Sequence, residues 1–252
     1  MKRVAVTRPA RFLASAEEYL RSKGLEAVPM PMMEMVPRND GGVDAFLDRL
    51  QAGKVDVVIL TSQNGVGFLL DRGGKGLIGM LRSVEVLAIG PKTKKALEQN
   101  GIMAKGMPST YSSECLAREF SFPGKRVEVL RSDHGNPALI KGLEEGGAMV
   151  AETILYDIVP LGGKDQEAFV REALSGRIDA FTFTSTMTAK SLLLMAESMG
   201  ALEELKKEIN AKKVAAIGHP TAEFLKSNGI RVDVVPERFT FEEMIDALAR
   251  VL

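Results

Sequence analysis

Apolar residues alternate along the chain between short continuous runs and longer stretches with helical spacing. Helical patterns such as residues 12–23 lie between most of the short runs. Gly24, Gly101 and Gly229 each end a helical stretch and precede a short run, as expected of helix stops. This alternation predicts βαβ units with largely parallel sheets. The short runs are residues 4–6, 25–28, 55–60, 84–89, 127–130, 148–155, 178–183, 214–217 and 232–235.

The two halves of the chain resemble each other in sequence. Residues 2–8 (KRVAVTR) match residues 125–131 (KRVEVLR) at an offset of 123, and residues 60–62 match residues 183–185 at the same offset. Residues 88–90 and 100–102 match residues 216–218 and 228–230 at an offset of 128. Matched identities in one order indicate an internal duplication.

Two proline-containing stretches lie at equivalent points inside the repeats. Residues 30–40 and 159–164 are predicted to be extended connections, because proline is excluded from the interiors of helices and sheets. One possible division, near residue 122, gives one domain per repeat. The other crosses over at the prolines and gives residues 1–37 plus 161–252 as one lobe and residues 38–160 as the second. The pattern alone leaves both open.

Composition narrows the class of protein. Apolar residues make up 45% and charged residues 26%, typical of a folded globular chain, and 33 basic residues balance 33 acidic ones. We therefore expect no general nucleic-acid binding. One cysteine (Cys115) and two histidines argue against a transition-metal site. The apolar runs are too short for a signal peptide or a membrane span, so the expected location is the cytoplasm.

Small polar turns follow most of the strand-like runs. The carboxyl ends of parallel strands are where open α/β sheets bind ligands, and helix N-termini favour anions. These turns therefore suit a small ligand with several carboxylates or phosphates, although Ser, Thr and Asn also serve as ordinary helix caps. No dinucleotide fingerprint, P-loop or nucleophile elbow is present. The candidate ligand-binding residues are Thr7, Arg8, Thr61, Ser62, Asn64, Gly90, Lys92, Thr93, Arg131, Ser132, Thr184, Ser185, Thr186, Gly218, His219 and Thr221.

In the order of its motifs, the sequence resembles the uroporphyrinogen-III synthase family over nearly its full length. The motifs are the Thr7-Arg8-Pro9 start, residues 60–66 (LTSQNGV), residues 88–93 (AIGPKT), Tyr156, and residues 183–185 and 217–221. One departure is Gly218-His219-Pro220-Thr221, where the family commonly has Gly-Pro-Thr-Thr, which puts the shape of that loop in question. The resemblance implies two similar flavodoxin-like α/β lobes with parallel sheets, joined by two extended linkers and crossed over at the prolines.

The resemblance also implies an activity. The family closes the linear tetrapyrrole hydroxymethylbilane into a ring, with inversion of the last pyrrole and loss of water, in a cleft between the lobes. It implies a polycarboxylate substrate and no metal or organic cofactor. With the charge balance and the short apolar runs described above, we expect no membrane or nucleic-acid partner, and we expect a monomer. Tyr156, beside the second linker, is the candidate general acid. The alternative is a non-catalytic, two-lobed small-molecule binder or sensor, because fold alone does not determine function.

Overall fold

The computed structural model describes residues 1–74 and 76–252, and it shows an α/β fold with parallel sheets. The strands are β1 (Lys2–Val6), β2 (Leu25–Pro29), β3 (Met33–Pro37), β4 (Val57–Leu60), β5 (Glu85–Ala88), β6 (Arg126–Ser132), β7 (Met149–Pro160), β8 (Ala180–Phe183) and β9 (Lys213–Ala216). The helices are α1 (Leu13–Ser22), α2 (Gly42–Gln51), α3 (Gln63–Gly73), α4 (Leu77–Arg82), α5 (Pro91–Gln99), α6 (Ser113–Glu119), α7 (Ala138–Glu145), α8 (Lys164–Leu174), α9 (Thr186–Ser198), α10 (Leu202–Asn210), α11 (His219–Ser227) and α12 (Phe241–Ala249).

The described residues divide into two compact units, neither of which is a simple half of the sequence. The first comprises Met1–Glu34 and Val159–Leu252, and the second comprises Met35–Ile158. The lobes predicted from the sequence have their boundaries two or three residues further along the chain. Whether each unit folds as an independent domain stays a prediction.

In the first unit the sheet order is β2-β1-β8-β9. β1 pairs in parallel with both β2 and β8, so the N-terminal strand lies inside the sheet next to a strand some 175 residues away in sequence. Val4 and Val6 on β1 contact the apolar side chains of α1 and α12, among them Leu20, Phe241 and Ile245. Burial of this interface therefore ties both ends of the chain to one core.

In the second unit the sheet order is β3-β7-β6-β4-β5. The four residues of β4 are all buried and alternate between two cores: Val58 and Leu60 belong to one, and Val57 and Ile59 to the other. A parallel strand covered by helices on both faces needs apolar residues at every position, which is why residues 57–60 form a continuous apolar run.

The strand assignments differ from the sequence pattern at three places. β3 lies within residues 30–40, a stretch predicted to be a connection, and joins the sheet beside β7. β7 continues to Pro160 and therefore includes the start of a stretch predicted to be a connection. Residues 232–235, predicted as a strand, contribute a single parallel bridge between Val234 and Ala215. The length of a strand depends on how many residues of a neighbouring strand lie beside it to form hydrogen bonds. A run of apolar residues does not specify that number.

Candidate active site

The parallel sheets bring the predicted turns of each unit to one edge of its sheet. In the first unit, Val6 of β1 lies opposite Thr182 of β8, and Phe183 lies opposite Ala216 of β9. The turns that begin at Thr7, Thr184 and Gly218 therefore leave the sheet side by side. In the second unit, Leu60 lies opposite both Ala88 and Leu130, which places the turns at Thr61, Gly90 and Arg131 together in the same way.

Two predicted ligand-binding side chains are instead held inside the fold. Thr7 is completely buried, and its hydroxyl donates to the carbonyl oxygen of Thr182 at 2.8 Å. Arg131 is also buried, and it donates to Glu152 at 2.5 Å and to the carbonyl of Asn136 at 2.6 Å. Since their polar groups are already satisfied, the site we propose excludes both side chains.

Ser62 and Ser185 are helix caps. The Ser62 hydroxyl accepts the Gly65 N–H at 2.9 Å at the start of α3, and the Ser185 hydroxyl accepts the Thr188 N–H at 3.1 Å at the start of α9. Both caps satisfy donors that an anion would otherwise bind. The starts of α3 and α9 are therefore poorer anion sites than the sequence indicated.

The starts of α5 and α11 differ, because each has a glycine at the N-cap with no side-chain cap. Thr93 and Thr221 occupy the same position in the first turn of these helices, and each is about 96% buried. Within residues 1–74 and 76–252, neither hydroxyl forms a hydrogen bond. Neither oxygen is fully enclosed, because the fully buried side-chain polar atom without a partner in these residues is Glu208 Oε1. Each helix therefore presents free backbone N–H groups and a free hydroxyl at the ligand-binding edge of its sheet.

Two aromatic residues that the sequence reasoning missed lie over these turns. A Cβ placed on Gly90 would be 3.4 Å from the Tyr111 side chain, and one on Gly218 would be 3.5 Å from the Phe239 ring. Both aromatic side chains are more than half exposed. Tyr111 and Phe239 are separated by the same 128 residues as the matched glycines, and that recurrence was the signal available in the sequence.

Other predicted side chains lie at the same edges with different degrees of exposure. His219 is exposed and packs edge-on against Phe239, with ring centroids 5.6 Å apart. Lys92 is exposed at the start of α5. The remaining members are partly exposed and, within the described part of the chain, form no side-chain hydrogen bond: Thr61, Asn64, Ser132, Thr184 and Thr186.

Arg8 is held by aromatic rings. Its guanidinium lies 4.3 Å from the centroid of Phe241 and 5.0 Å from that of Phe12. Burial lowers the pKa of this guanidinium, and the nearby carboxylate of Glu242 acts in the opposite direction. Cation–π contacts fix the position of the cation without neutralising it, so Arg8 stays available to an anionic group.

Tyr156 lies on β7 and is only 3% exposed. Its ring stacks on Phe68 with centroids 4.7 Å apart, and its hydroxyl lies 3.0 Å from that of Ser62. The bulge in the pairing of β6 with β7 places Tyr156 opposite Ser132, at the carboxyl end of β6. The phenol is therefore rigidly held at the same edge as the turns of the second unit.

Comparison with known proteins assigns the chain to a family. The model of the family described as "Uroporphyrinogen-III synthase HemD" matches residues 14–246. A protein of Archaeoglobus fulgidus that carries this family's name is 34% identical over 98% of this chain and 97% of its own length. The chain belongs to the uroporphyrinogen-III synthase family.

A further sequence relative agrees with this assignment, and a solved structure shares the fold. A protein of Chlorobaculum parvum named uroporphyrinogen-III synthase is 27% identical over the full length of both chains. The crystal structure of a mutant uroporphyrinogen III synthase from Thermus thermophilus matches with a TM-score of 0.68, at 23% identity, over 99% of this chain and 98% of that one. The structural likeness shows the shared α/β fold.

The turn at which this chain departs from the family's usual sequence keeps its backbone shape. Gly218 has φ −170° and ψ 172°, close to the φ −166° and ψ 174° of Gly90 in the other unit. The departure nevertheless changes which N–H groups the helix start offers, because proline has none. The first three positions offer the N–H groups of Lys92 and Thr93 in α5, but those of His219 and Thr221 in α11, where Pro220 occupies the second position.

Every helix in residues 1–74 and 76–252 is too short or too polar to span a bilayer. In the same residues, no three or more His, Cys, Asp or Glu side chains are placed to hold a metal ion.

Proposed function

We propose that this protein is a uroporphyrinogen-III synthase, which cyclises hydroxymethylbilane with inversion of the last pyrrole ring and loss of water. The observation that carries the proposal, beyond family membership, is the matched pair of uncapped helix starts at α5 and α11. Each offers backbone N–H groups, a threonine hydroxyl that forms no hydrogen bond within the described residues, and an exposed aromatic ring. Substrate carboxylates would bind the N–H groups and the hydroxyl, and a pyrrole ring would pack on the aromatic side chain. This arrangement suits a flexible tetrapyrrole with many carboxylates.

The chemistry requires geometry more than strong acid or base groups. As the C–O bond of the hydroxymethyl group breaks, the Tyr156 phenol supplies the proton that makes the departing hydroxyl water. The electron-rich pyrrole provides the electrons that expel it. The last ring attacks the resulting methylene carbon through its substituted carbon to give a spiro intermediate. The bond from that carbon to the bridge of the third ring then breaks, and the bridge forms a new bond to the free α-carbon of the last ring, which inverts the ring. The proton lost from this α-carbon as the ring becomes aromatic again restores the phenol. Holding the reacting carbons together is worth about 7–11 kcal/mol.

We also propose that the two units are similar flavodoxin-like lobes derived from one duplicated ancestor and joined by two extended linkers. Shifted by the repeat offset, the order β7-β6-β4-β5 corresponds to β2-β1-β8-β9. The isolated bridges Leu87–Gly106 and Ala215–Val234 correspond at an offset of 128. Lobe boundaries at 37/38 and 160/161, a cytoplasmic location and a monomeric state belong to the same proposal.

Product isomer analysis tests this function. Freshly generated hydroxymethylbilane is incubated with the purified protein in buffer containing a strong chelator. We expect rapid formation of the type III isomer, since no metal or organic cofactor is proposed. A non-catalytic binder or sensor would leave only the type I isomer that forms without enzyme. Activity that needs a particular metal to return after chelation would contradict the cofactor part of the proposal.

A further inference from the structure

If the protein has the proposed function, the direction of the hydrogen bond between Ser62 and Tyr156 decides whether the phenol proton is available to the substrate. The two hydroxyl oxygens are 3.0 Å apart, and either could be the donor from geometry alone. If Tyr156 donates to Ser62, the phenol proton is occupied. If Ser62 donates to Tyr156, the phenol keeps its proton for a ligand.

The surroundings of Ser62 favour the second direction. Its oxygen already accepts the Gly65 N–H at 2.9 Å as the cap of α3. A serine hydroxyl has one proton to donate. Within the described residues, the only side-chain or backbone acceptor that receives it is the Tyr156 oxygen. If Ser62 donates to Tyr156, its oxygen accepts the Gly65 N–H and its proton also has an acceptor.

The matched position in the other unit shows why this arrangement is specific. Ser185 caps α9 as Ser62 caps α3, but its hydroxyl donates to the Thr188 hydroxyl at 3.3 Å. The residue that corresponds to Thr188 in the second unit is Gly65, which has no hydroxyl. A Cβ at Gly65 would lie 3.2 Å from both the Ser62 hydroxyl and the Leu155 side chain. Glycine at this position thus leaves the serine proton for Tyr156.

We propose that Ser62 is a positioning residue that donates to the Tyr156 oxygen, so that the phenol proton points to the departing hydroxyl and the phenolate formed is stabilised. The relay runs from the Gly65 N–H to Ser62, from Ser62 to Tyr156, and from Tyr156 to the leaving group. Stacking on Phe68 fixes the ring, and Ser62 fixes the O–H rotor. Ser62 touches no reacting atom in this mechanism.

A substitution series at Ser62 separates this role from helix capping. Ser62→Thr keeps both the cap and the donor, Ser62→Asp keeps the cap but can only accept, and Ser62→Ala removes both. We expect kcat for hydroxymethylbilane to fall about 5- to 10-fold in Ser62→Asp and Ser62→Ala, with KM within about 2-fold, and to be retained in Ser62→Thr. The denaturant midpoints of unfolding should be similar in Ser62→Asp and Ser62→Thr, which keep the helix cap, and lower in Ser62→Ala, which loses it.

A double variant provides the second measurement. In a Tyr156→Phe background, Ser62→Ala should cause no further loss of kcat, because the group that it positions is gone. Losses that multiply in the double variant, or a Ser62→Asp kcat equal to that of Ser62→Thr, would overturn the proposal.

A spectroscopic measurement keeps this proposal separate from the proposed function. The tyrosine Fermi doublet in Raman difference spectra of wild type against Tyr156→Phe distinguishes a phenol that accepts a hydrogen bond from one that donates. We expect the acceptor pattern in wild type and its loss in Ser62→Ala. A donor pattern in wild type would refute the relay even if the protein makes the type III isomer. Absence of that isomer with the acceptor pattern present would refute the function and leave the hydrogen-bond direction established.

Discussion

At the residue scale, hydroxyl groups at the ends of strands have different roles that depend on their neighbours. Thr7 bonds inside the sheet, Ser185 caps a helix, and Thr221 has no hydrogen-bond partner among the described residues. All three looked alike in the sequence as polar residues after an apolar run. The difference follows from how many nearby backbone donors and acceptors are already satisfied.

Tyr156→Phe tests the role of the phenol as an acid. We expect kcat to fall about 10- to 100-fold, or about 1.4–2.7 kcal/mol in the barrier, and the type III isomer to remain the product. The loss of kcat is limited because the pyrrole already expels the hydroxyl. The isomer stays the same because the folding of the substrate depends on many other contacts. Steady-state kinetics with isomer analysis measure both. Full activity in a folded variant would leave Tyr156 only its packing role against Phe68.

Thr93→Val and Thr221→Val test the two free hydroxyls. Each substitution keeps the volume of the buried side chain and removes one hydrogen bond to a substrate carboxylate, a type of bond worth about 1.5–3 kcal/mol. We expect KM to rise about 10-fold or more in each variant with little change in kcat. Ser198→Ala is the matched control, because its exposed hydroxyl bonds only within α9. An unchanged KM in both threonine variants would remove these hydroxyls from the site.

At the element scale, one carboxylate in each unit fastens the start of a central strand. Asp179 accepts the Arg3 N–H at 2.8 Å at the start of β1, and Asp56 accepts the Arg126 N–H at 2.8 Å at the start of β6. The side chain of Arg126 also donates to Asp56, at 2.7 and 2.9 Å. Strands with the same place in the two sheets are thus anchored by the same device.

These anchors give stability a defined pH dependence. Hydrogen bonds from the side chain and then the backbone of Arg126 lower the pKa of Asp56 below its ordinary 3.8, and the Arg3 N–H chiefly lowers that of Asp179. A carboxyl whose folded-state pKa is lowered stabilises the fold above pH 3.8 and loses that contribution as pH falls through the folded-state pKa.

Asp56→Asn should therefore reduce the free energy of unfolding by about 1 kcal/mol at pH 7, since the partly exposed charge is screened by solvent. The difference from wild type should shrink as the pH falls below 3.8. Urea denaturation at a series of pH values measures it, with Asp48→Asn, an exposed carboxylate on α2, as the control. A difference that stays constant with pH would show that the charge of Asp56 does not contribute.

At the scale of the whole molecule, the chain path decides which fragments can fold. Residues 35–158 carry β4 to β7 and both apolar cores around them. Residues 1–122 are of similar length, but they contain β1 and β2 without β8, β9 or α12, and β4 and β5 without β6.

Expressed alone, residues 35–158 should therefore unfold in a single cooperative urea transition, and residues 1–122 should show none. Circular dichroism during the titration measures both. Cooperative unfolding of residues 1–122 would support the alternative division, with one domain per repeat, and would contradict the crossed-over lobes.

The α/β class follows from the sequence, because continuous apolar runs such as residues 57–60 are what a parallel strand buried on both faces requires. The sequence also placed the candidate turns at strand ends and pointed to the family through the order of its motifs. These are local properties: period, run length and the identity of the residue after a strand.

Which turn residues are free depends on contacts between residues far apart in the sequence. Arg131 is occupied by Glu152, 21 residues away, and Thr7 bonds to Thr182, 175 residues away. The Ser62–Tyr156 contact joins residues 94 apart. A hydroxyl or guanidinium is available to a ligand only if no such distant group already satisfies it, and the pairing of strands sets those distances. The sequence therefore predicts which residues lie at the edge of each sheet. The contacts made in the folded chain determine which of those residues can bind a ligand.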